Sequence, residues 1–192
     1  MNRVIIMSIR PEWLVKILNG EKTIEIRKTM PKCDLPIDVY LYCTKNRGSL
    51  HRNKHTIKRF VCHYKKPAES NVRNGLVVAK FTLNKIEDCC DMGLLELEGK
   101  SLLTISEICS YIKAKEVDPK MVYAWHIDNL EIFDKPKELS EFYRVIHYPK
   151  GQFITPDICE YGEGYEEDKK QCLKSFKVNK APQSWQYAWL LE

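Results

Sequence analysis

The first thirty residues place a short helix between two strand patterns, and this order restricts the fold more than any other feature of the chain. Val4–Ile9 is an apolar run of strand length. Pro11 suits the first turn of a helix, and Gly20 suits the left-handed position that commonly follows a helix. The stretch Lys22–Arg27 then alternates isoleucine with polar and charged residues, as a half-buried strand does. The sequence therefore predicts a strand, a short helix and a second strand with one charged face.

The strand after Gly20 carries unlike side chains on its two faces. Side chains alternate along a strand, so its isoleucines point one way and Thr23, Glu25 and Arg27 point the other way. A carboxylate and a guanidinium two residues apart on one face are close enough to form an ion pair. On an exposed surface such a pair contributes about 0–1 kcal/mol to stability. These residues alone are compatible with two interpretations, a surface ion pair and a polar binding cleft.

Further strand and helix patterns follow along the chain. Strands are predicted at Asp38–Thr44, Leu76–Leu83, Tyr123–Ile127, Leu130–Phe133 and Ser184–Leu191, and helices after the capping box Thr104–Glu107 and around Leu139–Tyr143. In the second of these strands we expect Val77, Ala79, Phe81 and Leu83 on one face. Several strands with few helices indicate an α+β fold built on a mixed β-barrel, and no parallel β-α-β series.

Composition is that of a globular protein. The chain has 192 residues, of which 44% are hydrophobic and 30% are charged, a length and composition that fit one domain with a sizeable core. No run approaches the roughly 18 apolar residues of a membrane span. The apolar stretch near the N-terminus is too short for a signal peptide. We therefore expect a cytoplasmic protein without a membrane partner.

Charge is distributed unevenly along the chain. Between Lys45 and Arg73 nine Lys or Arg residues stand against a single acid, whereas Asp157 to Asp168 holds six acids and no base. Two solvated loops of opposite sign, and a polyanion-binding surface beside an acidic segment, both fit this pattern. We interpret residues 1–192 as one domain with a basic excursion at about 45–73 and an irregular, partly acidic insertion at about 146–180.

Eight cysteines raise the questions of disulfides and of bound metal. Their spacing is irregular and no Cys-x2-4-Cys pair occurs, so we expect reduced thiols, no metal site and no cofactor. A metal would require residues far apart in the sequence to converge. The residues considered for this are Cys62, His63, Cys159 and Cys172.

With these elements placed, the sequence resembles a known family. The stretch SIRPEWLVKILNGEKTIEIRK is similar to the opening of ASCH domains, relatives of the PUA domain, whose signature is a helix followed by Gly-x-Lys-x-x-x-x-Arg. Gly20, Lys22 and Arg27 occupy those positions. Later blocks resemble, in order, an ASCH subgroup common in phage-type and bacterial proteins. These blocks are VYLYCTK, NGLVVAKFTL, VYAWHIDNLEIFDKPKELSEFY and APQSW.

The resemblance implies a small, PUA-like, largely antiparallel β-barrel with flanking helices, and a cleft between barrel and helix that contains the Lys/Arg motif. Family roles are RNA or nucleotide binding, with amidohydrolase activity on acetylated cytidine in some small members and ribonuclease activity in others. The resemblance therefore favours a domain that binds RNA, a nucleotide or a nucleoside. The alternatives are a hydrolase of a modified nucleoside or of RNA, and a protein-interaction module that uses the charged loops.

The resemblance also implies roles for individual residues. Lys22 and Arg27 would hold a phosphate or a base carbonyl, and Glu25 would accept hydrogen bonds from a nucleobase or orient the two cations. Arg10 faces the same region in the family layout. Residues near the ends of two further strands would supply aromatic stacking beside cations. These are Tyr42, Thr44, Lys45, Trp125 and His126. A core position for Trp125 and a strand-edge position for His126 remain the alternative.

Hydrolysis in this family needs an activated nucleophile beside a base. The amidohydrolase relatives carry lysine and then threonine three residues later, whereas here Lys22 is followed at that distance by Glu25. The candidate catalytic residues are therefore Lys22, Thr23 and Glu25. Because the expected threonine is replaced, we predict that hydrolysis of acetylated cytidine is absent or very weak.

Overall fold

The computed structural model describes residues 2–45, 74–89, 91–112, 122–144, 146–147, 153–154 and 176–190. The basic excursion beyond Lys45 and the acidic run Asp157 to Asp168 lie outside these residues, as do the four residues considered for a metal. The helices are α1 (Pro11–Leu18), α2 (Leu94–Ser101) and α3 (Ile105–Ile112). The strands are β1 (Asn2–Ile9), β2 (Ile24–Arg27), β3 (Ile37–Cys43), β4 (Val77–Leu83), β5 (Ile86–Asp88), β6 (Tyr123–His126), β7 (Asp128–Lys137), β8 (Phe142–Arg144), β9 (Ile146–His147), β10 (Phe153–Ile154) and β11 (Trp185–Leu190).

The strands form a mixed α+β architecture, as predicted. A six-stranded sheet has the order β7-β4-β3-β1-β11-β8, and a three-stranded sheet has the order β2-β6-β5. The short strands β9 and β10 pair with each other. The β1–β3 ladder is parallel, and the other ladders in the described residues are antiparallel.

The predicted barrel is not confirmed. Among the described residues the larger sheet runs from β7 at one edge to β8 at the other and does not close. The sheet stays open because the chain passes from one sheet to the other between β6 and β7, which are separated by Ile127 alone. The Ile127 amide donates to the carbonyl oxygen of Thr23 at 3.0 Å, and Asn129 has a left-handed backbone with φ of 47°. The chain turns here, so β6 extends the three-stranded sheet.

The helix predicted after Pro11 is confirmed. Pro11 begins α1, and the side chains of Leu14, Ile17 and Leu18 are buried. Gly20 has φ of +73°, a conformation that residues with a Cβ rarely adopt. This backbone turns the chain back from α1, so β2 follows directly.

The two larger sheets share one apolar core. Its members come from α1, from one face of the six-stranded sheet and, through the fully buried Trp125, from β6. The ring of Trp125 contacts that of Trp185 on β11, with 5.3 Å between centroids. Ile24 and Ile26 lie in a second cluster with residues of α2 and α3. The three-stranded sheet is therefore covered on both faces, and its Trp125 face points toward the six-stranded sheet.

One expectation about β4 is wrong. Ala79, Phe81 and Leu83 share the core as predicted, but Val77 packs in a third cluster together with Tyr42. In the β3–β4 ladder Leu41 pairs with Ala79 and Tyr42 pairs with Val77, so β4 carries one extra residue, Val78, between two consecutive positions of β3. Period-2 alternation therefore fails at this point, and Val78 enters the core where Val77 was expected.

Two smaller sequence signals have different outcomes. The capping box is confirmed, since the Thr104 amide donates to Glu107 Oε2 at 2.8 Å and the Glu107 amide donates to Thr104 Oγ1 at 3.2 Å. The helix predicted around Leu139–Tyr143 is a 3-10 turn, Leu139–Glu141, that leads into β8.

Among the helices of the described ranges, none has the length and apolar character that crossing a membrane would require.

Candidate functional site

Lys22 is a buried lysine two residues before β2, with 1% of its side chain exposed. Its ammonium group donates to the carbonyl oxygen of Ser101 at 2.6 Å, at the C-terminal end of α2. The partial negative charge of a helix C-terminus favours a cation there. Burial lowers the pKa of Lys22 from 10.5, and the carboxylate of Glu25 partly opposes that shift. The Lys22 ammonium also lies 5.5 Å from the centre of the Trp13 ring.

Lys22, Glu25 and Arg27 form a continuous chain of charges, which we call the charged triad. Glu25 Oε2 lies 3.4 Å from Lys22 Nζ, and Glu25 Oε1 lies 3.3 Å from Arg27 Nη1. Arg27 Nη2 donates to the carbonyl oxygen of Ser8 on β1 at 2.9 Å. The Glu25 and Arg27 side chains are 11% and 10% exposed. The triad therefore connects the end of α2 to the six-stranded sheet, and its last two members retain some contact with solvent.

Strand register explains why the triad is inside the protein. In the β2–β6 ladder Glu25 lies opposite Trp125 and Arg27 lies opposite Tyr123. Directly opposite residues of an antiparallel pair project from the same face. Because Trp125 belongs to the core between the two sheets, Glu25 and Arg27 project toward that space as well. The predicted alternation is confirmed over Ile24–Arg27, with the charged face turned inward. The predicted start of the strand at Lys22 is wrong, and Thr23 is exposed before the strand and does not share the face of Glu25 and Arg27.

Three polar atoms on this face are buried without a hydrogen-bond partner in the described part of the protein. They are Oε2 of Glu25, Nε of Arg27 and Nε1 of Trp125. The ion pair between Glu25 Oε2 and Lys22 is longer than an ordinary hydrogen bond. Buried polar groups normally have partners, so these atoms have unused capacity for polar contacts.

Four of the other residues predicted for the site lie at the surface or are partly exposed. Arg10 is exposed at the start of α1, and Thr23 is exposed immediately before β2. Thr44 is half-buried just beyond β3, where its amide donates to the carbonyl oxygen of Ile9 at 2.9 Å. Lys45 is exposed, and its side-chain carbons lie against Gly75 in the adjoining turn. Among these four, Arg10 follows β1 two residues after Ser8, which bonds to Arg27.

Tyr42 and His126 project away from the charged triad. Tyr42 belongs to the cluster on the opposite face of the six-stranded sheet, where burial raises its pKa. His126 is paired with Ile24 in the β2–β6 ladder, so it shares the face opposite to that of Trp125. There His126 Nε2 lies 2.5 Å from Glu87 Oε2, and Lys85 Nζ lies 2.7 Å from Glu87 Oε1. The structure therefore brings together Lys22, Glu25, Arg27 and Trp125. Tyr42 and His126 lie apart from this group.

The surroundings of the triad include groups that the sequence analysis did not name for the site. Ser8 and Ser101 accept hydrogen bonds through backbone oxygens, which every residue type possesses, so their sequence carries no signal for this role. Trp13 is half-buried, and its ring lies near both Lys22 and Lys16, whose ammonium group is 5.9 Å from the ring centre. The sequence could have indicated the contact between Trp13 and Lys16, because the lysine follows the aromatic residue by about one helical turn.

The fold is that of the ASCH domain. A crystal structure of a point mutant of the ASCH protein from Zymomonas mobilis is similar to this chain, with a TM-score of 0.51, 14% sequence identity, and coverage of 98% of this chain and 87% of that chain. The crystal structure of ASCH from Zymomonas mobilis gives a TM-score of 0.47 at 15% identity, over 91% of this chain and 95% of that chain. No protein-family model matches the sequence, and no curated protein matches it.

Proposed function

We propose that this protein binds RNA or a nucleotide through the charged triad and Trp125. The cationic groups of Lys22 and Arg27 suit phosphate or carbonyl oxygens, and the carboxylate of Glu25 suits the N–H donors of a nucleobase. Both kinds of ligand group occur in one nucleotide. Arg10 is exposed two residues after Ser8, whose carbonyl oxygen accepts from Arg27, and would supply a further cation for a backbone phosphate.

The observation that carries this proposal is the set of three unpartnered polar atoms on the inward face of β2 and β6. A triad that served packing alone would be expected to satisfy its own donors and acceptors, because an unpaired buried polar group costs about 1–3 kcal/mol. Glu25, Arg27 and Trp125 leave both donors and an acceptor open. A ligand with both donors and acceptors fits that combination better than an inorganic anion does.

A second function, hydrolysis of a modified nucleoside or of RNA, is favoured by one observation. Burial lowers the pKa of Lys22, and a lysine with a lowered pKa acts as a base more readily than an ordinary lysine does. Two observations argue against acyl transfer through a threonine. Thr23 is exposed, and Glu25 occupies the position where the amidohydrolases carry a threonine. Incubation with acetylated cytidine, followed by chromatography, tests this function. Efficient turnover that Lys22→Ala abolishes would establish hydrolysis.

Thermal-shift measurements with nucleosides, nucleotides and short single-stranded RNAs test the binding proposal. A ligand that binds only the folded state at 100 times its Kd stabilises it by about 2.7 kcal/mol, which raises Tm by several degrees. We expect at least one member of the panel to produce such a shift. If none shifts the wild-type Tm at millimolar concentration, the proposed function is wrong.

A pair of matched variants assigns the shift to the site. Arg27→Gln removes a cation of the triad, and Lys80→Gln removes a cation that pairs with Asp38 at 3.1 Å on β3 and β4, away from the triad. Each shift is measured against the variant's own Tm without ligand, so a loss of stability does not interfere. We expect Arg27→Gln to abolish the shift and Lys80→Gln to retain it. The reverse pattern would move the binding site to the outer sheet face.

A further inference from the structure

A cavity of about 450 Å³ lies on the face of the six-stranded sheet that points away from the core shared by the two larger sheets. It includes a row of cross-strand neighbours, in which Lys80 of β4 lies between Tyr40 of β3 and Glu131 of β7. Phe133 and Leu190 also line it, and both pack against the hydrophobic cluster of this face. Small-molecule sites commonly have volumes of about 300–1,000 Å³, so the cavity has a suitable size for such a ligand.

The wall of the cavity on the β7 side comes from an irregular strand pairing. Residues 132–137 of β7 are paired with β4 at their two ends, and the matching stretch of β4 is only residues 77–79. The extra residues of β7 therefore leave the regular ladder, as in a β-bulge. Phe133 and Lys135 are among them, and both line the cavity. The ring of Phe133 lies 5.9 Å from that of Tyr40, so the bulge places aromatic and cationic side chains side by side.

The charged side chains that line the cavity include more cations than anions. They are Lys80, Lys135, Lys137, Glu131 and Asp134. Lys80 Nζ lies 3.1 Å from Asp38 Oδ2 and 3.5 Å from Glu131 Oε2, so carboxylates already balance this lysine. The excess of positive charge therefore comes from Lys135 and Lys137, and it amounts to a single charge.

Lys135 and Lys137 are accessible to a ligand. Lys135 is exposed. Lys137 Nζ lies 3.6 Å from Glu141 Oε2, which is longer than an ordinary hydrogen bond, in a partly exposed pair that solvent screens. The same ammonium group lies 5.8 Å from the centre of the Phe133 ring. An anionic group on a ring that packs against Phe133 therefore comes close to the Lys137 ammonium.

We infer that this cavity binds a small molecule that combines a planar ring with one carboxylate group. The ring packs against Phe133 and Leu190, and the carboxylate contacts the ammonium groups of Lys135 and Lys137. One carboxylate matches the single excess charge better than a phosphate does, because a phosphate monoester carries nearly two negative charges. This inference does not depend on the proposed function, since the cavity and the charged triad lie on opposite faces of the six-stranded sheet.

Three naphthalene derivatives that differ mainly in charge test this inference on the wild-type protein. They are naphthalene-2-acetate, the neutral naphthalene-2-acetamide and the cationic 2-(naphthalen-2-yl)ethylamine, each titrated into 15N-labelled protein at one ionic strength. We expect the acetate to bind about threefold or more tightly than the amide, because the amide lacks the attraction to two lysines. The amine should bind more weakly still. The backbone amide signals of Phe133, Lys135 and Lys137 should shift during the acetate titration.

Several outcomes would overturn the inference. These are equal affinity for the acetate and the amide, tighter binding of the amine, shifts confined to residues outside the cavity, and no binding of any compound at millimolar concentration. Adenosine monophosphate is a fourth titrant, because it combines a planar ring with a doubly charged phosphate. If it binds at the same residues as tightly as the acetate does, the assignment of a carboxylate ligand is wrong.

Lysine variants then test the contact with the carboxylate. The double variant Lys135→Gln and Lys137→Gln removes both cations, whereas the control Lys28→Gln removes an exposed lysine that lies 4.9 Å from the centre of the Tyr111 ring, outside the cavity. We expect the double variant to lose the preference for the acetate over the amide, and Lys28→Gln to keep it. An unchanged preference in the folded double variant would show that these lysines do not contact the carboxylate.

Discussion

The ammonium group of Lys22 donates a 2.6 Å hydrogen bond to the carbonyl oxygen of Ser101, which is 79 positions later in the chain. This contact joins the segment just before β2 to the end of α2, and the ion pair with Glu25 extends it toward β1 through Arg27. A cation so placed is held by a helix terminus on one side and a carboxylate on the other. The triad therefore contributes to the fold as well as to the proposed site.

The lowered pKa of Lys22 predicts how stability depends on pH. Its pKa is below 10.5 in the folded state and near 10.5 in the unfolded state, so the unfolded chain binds more protons between these two values. The free energy of unfolding should rise with pH through that window. Lys22→Met should remove this rise, as measured by urea unfolding at several pH values up to about 10.5.

Lys100→Met is the matched control for the Lys22 experiment. Hydrogen bonding to Glu96 raises the pKa of Lys100. The contribution of Lys100 to the free energy of unfolding is therefore present below pH 10.5 and is lost only at higher pH. This variant should therefore retain the wild-type slope below 10.5. Equal slopes for wild type and Lys22→Met would show that the folded protein does not depress the pKa of Lys22.

Glu25 is predicted to stabilise the protein by separating two buried cations. Glu25→Gln removes the charge that lies between Lys22 and Arg27, and breaking a buried ion pair in this way costs about 3 kcal/mol or more. Glu96→Gln removes the exposed ion pair with Lys100 and should cost much less, because solvent screens that pair. Chemical denaturation measures both. Equal costs would contradict the internal position of the triad.

Cys43 is predicted to resist alkylation in the folded protein. Burial is the main cause that raises the pKa of its thiol to about 12, and the thiolate is the reactive form. Cys33 and Cys109 are partly exposed and should react with iodoacetamide first. Peptide mass spectrometry after a short treatment near pH 8 compares the three sites, with urea-unfolded protein as the control. Rapid modification of Cys43 in the native protein would contradict this prediction.

The capping box at α3 predicts a moderate stability change. Thr104→Ala removes the hydroxyl that accepts from the Glu107 amide, which should cost about 1 kcal/mol. Thr104→Ser keeps the hydroxyl and should retain most of that stability. Thermal unfolding of both variants measures the difference. Identical Tm values for the two variants would mean that the cap contributes nothing measurable.

The basic excursion at 45–73 predicts salt-dependent binding of RNA. Neutralising Lys58, Arg59, Lys65 and Lys66 should weaken the binding of a short single-stranded RNA and flatten the dependence of its affinity on salt, because each phosphate contact releases counterions. Deleting the acidic run Asp157 to Asp168 should strengthen binding if that run competes for the same cations. Fluorescence anisotropy across a salt series measures both. If the neutralised variant binds like wild type at every salt concentration, the excursion does not contact RNA.

Several features of the fold could be predicted from short stretches of sequence, because they depend on neighbours in the chain. The limits of α1 follow from Pro11 and Gly20, and the start of α3 follows from the spacing of Thr104 and Glu107. The two faces of β2 follow from strand alternation. Local steric and hydrogen-bonding preferences act within a few residues, so they can be read without knowledge of the rest of the molecule.

Strand alternation alone specifies which residues of β2 share a face, but the direction in which that face points depends on the packing of distant segments. Glu25 and Arg27 alternate with isoleucines in either case, but pairing with β6 turns them inward beside Trp125, while His126 projects from the opposite face. The partner oxygen of Lys22 comes from Ser101, and no local pattern encodes a backbone carbonyl 79 positions away. Strand order, the turn at Ile127 and burial all depend on the free energy of packing distant segments, which local periodicity does not contain.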